Sequence, residues 1–118
     1  MDSKNTERMF ASIDGMRVEE ILRYFADDIE FQLGNNESIC GKDAVRQGLT
    51  KFFSSIKGMR HSFSGIWSQD NVVICQSVAE YARMDEKVVA LPCVSIFKYN
   101  GSLIIDYRVY IDISPVFA

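Results

Sequence analysis

The side chains best suited to proton transfer lie near the end of this 118-residue sequence. They occupy every second position and so share one face of the predicted last strand: Asp106, Arg108, Tyr110 and Asp112. If that face lines an apolar cavity, burial raises the pKa of Asp112 and makes it a candidate general base or acid, with Arg108 and Tyr110 beside it. If the face is solvated instead, Asp112 is a surface residue and the opposite face, with Tyr107 and Val109, belongs to the core.

His61 is the only histidine and falls early in the first long predicted strand. Strand alternation places it on the same face as Met59, Phe63 and Trp67, so burial in the core is one interpretation. The other interpretation is an acid–base pair between His61 and Asp112, which requires both side chains to point inward.

The next predicted strand offers two further candidates. Tyr81 could donate a hydrogen bond to a developing oxyanion, or it could simply pack on the sheet. Arg83 and Asp85 lie at the hairpin turn that follows, and we interpret them as part of a solvated turn.

Hydrophobic periodicity predicts helices in the first half of the chain and strands in the second. Apolar residues recur at helical spacing over residues 4–13, 18–25 and 43–56. Strand patterns follow over residues 29–33, 38–40, 59–68, 72–84, 88–99 and 103–113. Short connectors force antiparallel neighbours, and Asn100-Gly101 indicates a type I′ turn. Pro92 lies inside a strand pattern, which predicts a bulge or an unpaired edge there.

This order of elements indicates an α+β fold. We expect a cone made by a strongly curved, mostly antiparallel sheet, with three N-terminal helices enclosing an apolar pocket. A single domain over residues 1–118 fits the chain length, since domains of about 100–150 residues are the commonest. The aromatic side chains expected to contact a ligand are Phe10, Phe25, Phe31, Phe52, Phe63, Trp67 and Tyr81.

Composition narrows the functional classes. The 13 Lys+Arg against 16 Asp+Glu give a net charge of −3, without the basic excess that nucleic-acid surfaces need. No apolar run approaches the roughly 18 residues of a membrane span, and the polar start lacks a secretory signal. Cys40, Cys75 and Cys93 are odd in number and, with one histidine, form none of the usual zinc motifs. We therefore expect a cytoplasmic protein without metal, cofactor, nucleic-acid or membrane partner.

The sequence resembles the nuclear transport factor 2-like superfamily, in its SnoaL-like (polyketide cyclase-like) branch. The likeness rests on residues 24–31, 41–46, 60–63 and 106–112, which read YFADDIEF, GKDAVR, RHSF and DYRVYID. The resemblance implies that Asp112 corresponds to the pocket aspartate at the end of the last strand in the cyclases and epoxide hydrolases. It also implies a homodimer through the outer face of the sheet, for which the apolar row from Tyr107 to Ile113 is the expected surface.

The sequence departs from three chemistries of this superfamily, and a cyclase-like proton transfer by Asp112 is the enzyme chemistry that it contradicts least. Phe31 and Leu33 replace the Tyr and Asn that hold water in the epoxide hydrolases, and Leu33 stands where the ketosteroid isomerases have their base. Scytalone-type dehydratases use two histidines, and this chain has one. A protein-interaction module, which predicts a closed, dry cone and an exposed apolar patch, is one possibility, and two further functions remain open. One is a cofactor-independent proton-transfer enzyme for a small apolar substrate that uses Asp112, with His61, Tyr110 or Arg108 assisting. The other is a non-catalytic ligand-binding or dimerisation module of the same fold.

Overall fold

The computed structural model describes residues 2–118, in which four helices accompany one six-stranded sheet. The helices are α1 (Ser3–Asp14), α2 (Val18–Leu22), α3 (Lys42–Ser54) and α4 (Ser114–Phe117). The strands are β1 (Phe25–Leu33), β2 (Ile39–Cys40), β3 (Gly58–Gln69), β4 (Val72–Ala82), β5 (Val88–Asn100) and β6 (Leu103–Tyr110). Helix α1 begins where it does because the Asp2 carboxylate accepts a hydrogen bond from the Asn5 backbone N–H at 2.8 Å, which satisfies an unpaired donor of the first turn.

The strand order across the sheet is β2-β1-β6-β5-β4-β3. All neighbours are antiparallel except β1 and β6, which run parallel because the chain crosses from one side of the sheet to the other between them. The sheet is curved and does not close, and the pairing register shifts at three places. The predicted α+β fold with its mostly antiparallel curved sheet is confirmed.

Three local features of the sheet concern the end of β6, the β5–β6 turn and Pro92. The last strand ends at Tyr110 rather than at Ile113, because the chain turns into α4, which no pattern in the sequence predicted. The β5–β6 hairpin forms, but only Gly101 has a positive φ (64°), so the turn is not type I′. Pro92 pairs with Val78 and lies beyond the last β5–β6 pair, so it occupies an unpaired edge and not a bulge.

The inner face of the sheet is the face covered by α1, α2 and α3. Its central strands carry small side chains, Cys75, Ser77 and Ala79 on β4, which leave room in front of the sheet. Large buried side chains, including Phe25 and Phe97, pack in the main core cluster together with residues of α1 and α2. This arrangement leaves a hollow between the helices and the β4–β6 part of the sheet.

The faces of β6 are the reverse of the predicted orientation. Tyr107 is 3% exposed and belongs to the core, and Val109 packs against the same buried clusters. Consequently Arg108 and Tyr110 lie on the outer face. The expectation that the Tyr107–Ile113 row covers a dimer surface is therefore wrong, because that row packs inward.

Trp67 is also on the opposite face from the one predicted. The β3–β4 register shifts between Phe63 and Gly65, so alternation is broken by one residue at Ser64. His61 comes before this shift and points inward. Trp67 comes after it and therefore points outward, where it is 55% exposed. Its indole ring lies over Gly65, where a Cβ atom would fall 2.2 Å from the ring.

Within residues 2–118, no helix combines the length and the apolar character needed to cross a membrane.

Candidate functional site

A cavity of about 470 Å³ lies between the helices and the inner face of the sheet. This volume is within the range of small-molecule sites, about 300–1,000 Å³. Its apolar wall consists of Ile13, Ile21, Phe31, Leu33, Ile39, Leu49, Phe52, Phe53, Met59, Val109 and Phe117. Polar side chains occur in two places. His61, Tyr81, Ser95 and Tyr107 lie on the sheet, and Asn36, Glu37, Lys51 and Ser55 lie on the connection after β1 and on α3 and its C-terminal cap.

The strongest polar interaction at the cavity joins His61 to Asp14. The His61 Nδ1 atom lies 2.6 Å from one carboxylate oxygen of Asp14, and the His61 backbone N–H donates to the other oxygen at 3.0 Å. The two residues are 47 positions apart, and the fold brings the last residue of α1 against β3. Because both carboxylate oxygens are engaged, the imidazole ring is held in one orientation.

This pair keeps His61 protonated at neutral pH. The His61 side chain is only 5% exposed, between the rings of Phe10 at 5.0 Å and Phe63 at 6.0 Å. Burial is the largest single influence on the pKa of His61 and lowers it. The hydrogen bond and charge of Asp14, together with Cys93, outweigh burial and raise that pKa from 6.5 to about 9. Nδ1 is bonded to Asp14, so Nε2 is the other ring N–H, and the Cys93 side chain is a hydrogen-bond partner of the same ring. A ligand oxygen must therefore replace this weak thiol contact at Nε2.

Two tyrosines add further hydroxyl groups to the sheet side of the cavity. Tyr81 is 2% exposed and meets the ring of Phe52 edge to face at 5.9 Å. Tyr107 shares a hydrogen bond with Ser95, which is itself buried. Burial raises the pKa of both phenols well above the ordinary value, so both stay neutral and act only as neutral hydrogen-bonding groups.

Asp112 does not reach the cavity. It is exposed, and one of its carboxylate oxygens accepts a hydrogen bond from the backbone N–H of Ser114 at 3.1 Å. Hydrogen bonding to Ser114 lowers the pKa of Asp112, which is opposite to the predicted direction. The predicted His61–Asp112 pair is therefore wrong: His61 does pair with a carboxylate, but the partner is Asp14. Asp112 instead helps to start α4.

Arg108 and Tyr110 lie on the outer face as well. Arg108 donates to Glu30 at 2.5 Å, to Gln32 at 2.8 Å and to Asp106 at 3.0 Å, which ties β6 to the parallel strand β1. Tyr110 is 57% exposed. Of the four residues predicted to carry proton transfer, the structure places only His61 at the cavity, because the bend after Tyr110 and the inward turn of Tyr107 orient the others outward.

The predicted ligand contacts divide into three groups. Phe31, Phe52 and Tyr81 line the cavity. Phe10 and Phe25 are buried core residues, and Phe63 packs on Phe10 with a ring separation of 4.7 Å. Trp67, on the outer face, is too far round the sheet to contribute.

Asp14 is the important site residue that the sequence analysis missed. Asp14-Gly15 has the composition of a turn, and it does form the turn at which α1 ends. Its second role depends on a contact with a residue 47 positions later, which no local pattern reveals. The available signal was indirect: a lone histidine on an apolar strand face needs a polar partner.

Comparison with known proteins identifies the family and the fold of this chain. The family model described as SnoaL-like domain matches residues 6–107. A protein of Burkholderia pseudomallei of unknown function, described as NTF2-like, superposes with a TM-score of 0.87 at 10% identity, covering 97% of this chain and 92% of that chain. No curated protein matches the chain.

Two further solved structures have the same fold. A Catenulispora acidiphila protein with a ketosteroid isomerase-like fold, in complex with trimethylamine, gives a TM-score of 0.87 at 14% identity, over 98% of this chain and 91% of that one. An LEH-like epoxide hydrolase of Mycobacterium tuberculosis gives 0.80 at 14% identity, over 97% and 84%. At these identities the likeness establishes the fold alone.

Proposed function

Because this chain belongs to the SnoaL-like domain family, whose fold supports several chemistries, we propose its function from the cavity itself: it binds a small, mostly apolar molecule that carries a hydrogen-bond-accepting oxygen. The observation that carries this proposal is the buried His61 ring, paired with Asp14, at a cavity whose wall is mostly apolar. The apolar wall supplies affinity, and the protonated imidazole supplies orientation by donating a hydrogen bond to the ligand oxygen.

The charge of His61 favours an oxygen over any other polar group of a ligand. An imidazolium has only N–H donors and carries a positive charge, so it repels a ligand ammonium group and donates to the oxygen of a carbonyl, an ether, a phenolate or an enolate. A hydrogen bond to a charged group contributes about 1.5–3 kcal/mol net. A ketone should therefore bind more tightly than the hydrocarbon of the same shape.

A matched pair of ligands tests this proposal. Binding of 2-acetylnaphthalene and of 2-ethylnaphthalene is measured by calorimetry at pH 7.5, for the natural protein and for His61→Leu. We expect the ketone to bind at least about tenfold more tightly than the hydrocarbon to the natural protein. His61→Leu removes the donor but keeps an apolar wall, so it should abolish this preference.

Ser62→Ala is the control, because Ser62 is the neighbouring strand residue and is exposed. It should retain the preference for the ketone. Equal ratios of the two affinities in the natural protein and in His61→Leu would contradict the role of His61, and no binding of either ligand would contradict the cavity as a binding site.

A second candidate function is a cofactor-independent proton-transfer enzyme, and the protonated state of His61 favours it. In such a reaction His61 gives its Nε2 proton to a ketone oxygen while a base removes a proton from the adjacent carbon, forming the enol. Among the described residues that line the cavity, Glu37 is the only carboxylate, which makes it the candidate base. Asp112 is not proposed for this step because it is exposed and bonded to Ser114.

Deuterium exchange separates the enzyme from the binding module. The methyl protons of 2-acetylnaphthalene are followed by NMR in deuterated buffer with the natural protein, His61→Leu and Glu37→Gln. Exchange faster than in buffer alone, reduced in both variants, would support the enzyme. Exchange at the buffer rate, with binding intact, would leave a non-catalytic ligand-binding module.

We also propose that the protein forms a homodimer through the outer face of the sheet. An apolar surface crosses β3 to β6 there, here called the outer patch, and it consists of Trp67, Ile74, Val78, Val94, Ile96 and Tyr110. Its members are neighbours by register, as in the pairs Ile74–Ile96 and Val94–Tyr110. An exposed apolar surface of this kind on a sheet needs a cover, and a second copy of the same face supplies one in a two-fold arrangement.

The reduced state of the cysteines supports a cytoplasmic location. Cys40, Cys75 and Cys93 are all free thiols in the described residues, and Cys40 is exposed. An exposed free thiol is typical of a reducing compartment. Burial raises the pKa of Cys75 to about 12, so its thiol is inert.

A further inference from the structure

The last eight residues of the sequence, 111–118, are called the strap below, and one of them, Phe117, lines the cavity. The strap contains α4, which has only four residues and is too short to be stable alone. Its position must therefore be fixed by contacts with the rest of the molecule. Three sets of contacts do this.

The first contact is apolar. Val116 is 4% exposed and packs in a cluster with Ile56, Ala79, Tyr81 and Cys93. The next residue, Phe117, lines the cavity and meets the ring of Phe52 edge to face at 6.2 Å. One residue of the strap is thus an anchor, and its neighbour is a cavity wall.

The second contact is made by Arg83, in the β4–β5 connection. Its guanidinium donates to the Pro115 carbonyl at 2.8 Å and to the Ala118 carbonyl at 2.5 Å. Asp85 holds the other side of the same guanidinium, at 3.0–3.1 Å. The Arg83 side chain is 19% exposed, so these bonds are partly shielded from water. A planar fork of donors suits this double attachment, whereas an ammonium group does not.

The third contact starts the helix. The Asp112 carboxylate accepts a hydrogen bond from the Ser114 N–H at 3.1 Å, which orders the entry to α4. Asp112 therefore acts at the start of α4, whereas Arg83 holds Pro115 in its first turn and Ala118 just after its end. Neither residue touches the cavity.

We propose that Arg83 is a positioning residue for the ligand site: by holding the strap, it keeps Phe117 in place as the outer wall of the cavity, which limits the length of ligand admitted and slows its release. This proposal rests on the proposed binding function. Phe117 is 54% exposed and has aromatic contact with Phe52 alone, so its position follows from the attachment of the backbone on either side of it.

Two ketones of different length test the proposal. 2-Acetylnaphthalene and 2-hexanoylnaphthalene share the naphthyl ketone and differ in chain length. Affinity is measured by calorimetry, and release of each ketone by stopped-flow fluorescence, for the natural protein, Arg83→Gln, Arg83→Lys and Phe117→Ala. We expect Arg83→Gln to release the short ketone about tenfold faster and to shift relative affinity about tenfold toward the long ketone.

Phe117→Ala should reproduce both effects while Arg83 still holds the strap. Arg83→Lys should fall between the natural protein and Arg83→Gln, because lysine reaches one carbonyl but not both. The matched control is Arg60→Gln, which removes an arginine paired with Glu80 on the outer face and should change neither quantity.

The proposal would be overturned if Phe117→Ala had the same release rates and length preference as the natural protein. The same result for Arg83→Gln would also overturn it. If Arg83→Gln fails to fold, Phe117→Ala still tests the proposal, because the Phe117 side chain is largely exposed and its removal should not prevent folding. If the natural protein binds neither ketone, it is the proposed binding function that fails.

Discussion

Replacement of Asp14 by asparagine isolates the interaction on which the site depends. Asp14 supplies the negative charge beside His61 and engages both its ring and its backbone. Asparagine keeps the shape and one acceptor oxygen but removes the charge. The stabilisation of the imidazolium that opposes burial is then largely lost.

The expected change follows from the pKa of His61, which is about 9 with Asp14 in place and 6.5 without perturbation. This rise corresponds to about 3 kcal/mol in favour of the charged ring, at about 1.36 kcal/mol per pKa unit. Asp14→Asn removes the charge of Asp14, while Cys93 still raises the pKa of His61 and burial still lowers it, so we expect the variant to titrate about two units lower than the natural protein. The imidazole would then be mostly neutral at pH 7.5, and the preference for a ketone ligand should fall about tenfold.

The assay is an NMR titration of the imidazole ring, and it is unambiguous because the chain contains one histidine. The natural protein should titrate near pH 9, and Asp14→Asn at least about two units lower. The matched control is Asp43→Asn, since Asp43 is an exposed carboxylate bonded to Arg46 and should leave the midpoint unchanged. A midpoint near 6.5 in the natural protein, or an unchanged midpoint in Asp14→Asn, would refute the reasoning.

Three further predictions concern other parts of the account. Since the folded state raises the pKa of His61, the contribution of this group to stability is complete below pH 6.5 and is lost as pH rises through about 9. Chemical denaturation should therefore show the free energy of unfolding falling by up to about 3 kcal/mol between these pH values. Asp14→Asn should not show this fall. Asp112→Asn should bind 2-acetylnaphthalene with an affinity within about twofold of that of the natural protein, because Asp112 is exposed. A loss of affinity of about tenfold, measured by calorimetry, would show that Asp112 belongs to the site. Val78→Lys should convert a dimer into a monomer by light scattering, whereas Thr50→Lys on α3 should not; a natural protein that is already monomeric argues against the outer patch as an interface.

The sequence predicts the elements of this fold well, because local periodicity reflects which side of each element is buried. The three early helices and the long hairpins follow from spacing and turn residues. The face of a strand that points inward is less predictable. A single irregularity near Ser64 sends Trp67 to the outer face, and the exchange of faces on β6 could not be settled by a polar row alone.

The site was predictable only in part, for a related reason. His61 was identified because it is unique, but its partner depends on how α1 packs across β3. Asp112 is conspicuous in the sequence and nevertheless structural, since the chain leaves the sheet after Tyr110 and uses the carboxylate to start α4. Long-range packing decides which carboxylate meets the histidine, and no spacing along the chain records it.

The most direct test of the central claim is the ¹⁵N spectrum of the His61 ring with ligand bound. At pH 7.5, saturation with 2-acetylnaphthalene should move the Nε2 signal, and the carbonyl carbon of the ketone should shift as expected for a hydrogen-bonded oxygen. 2-Ethylnaphthalene, bound in the same cavity, should leave Nε2 at its ligand-free position. A bound ketone that leaves both the Nε2 signal and its own carbonyl signal unchanged would contradict the claim that protonated His61 recognises the ligand.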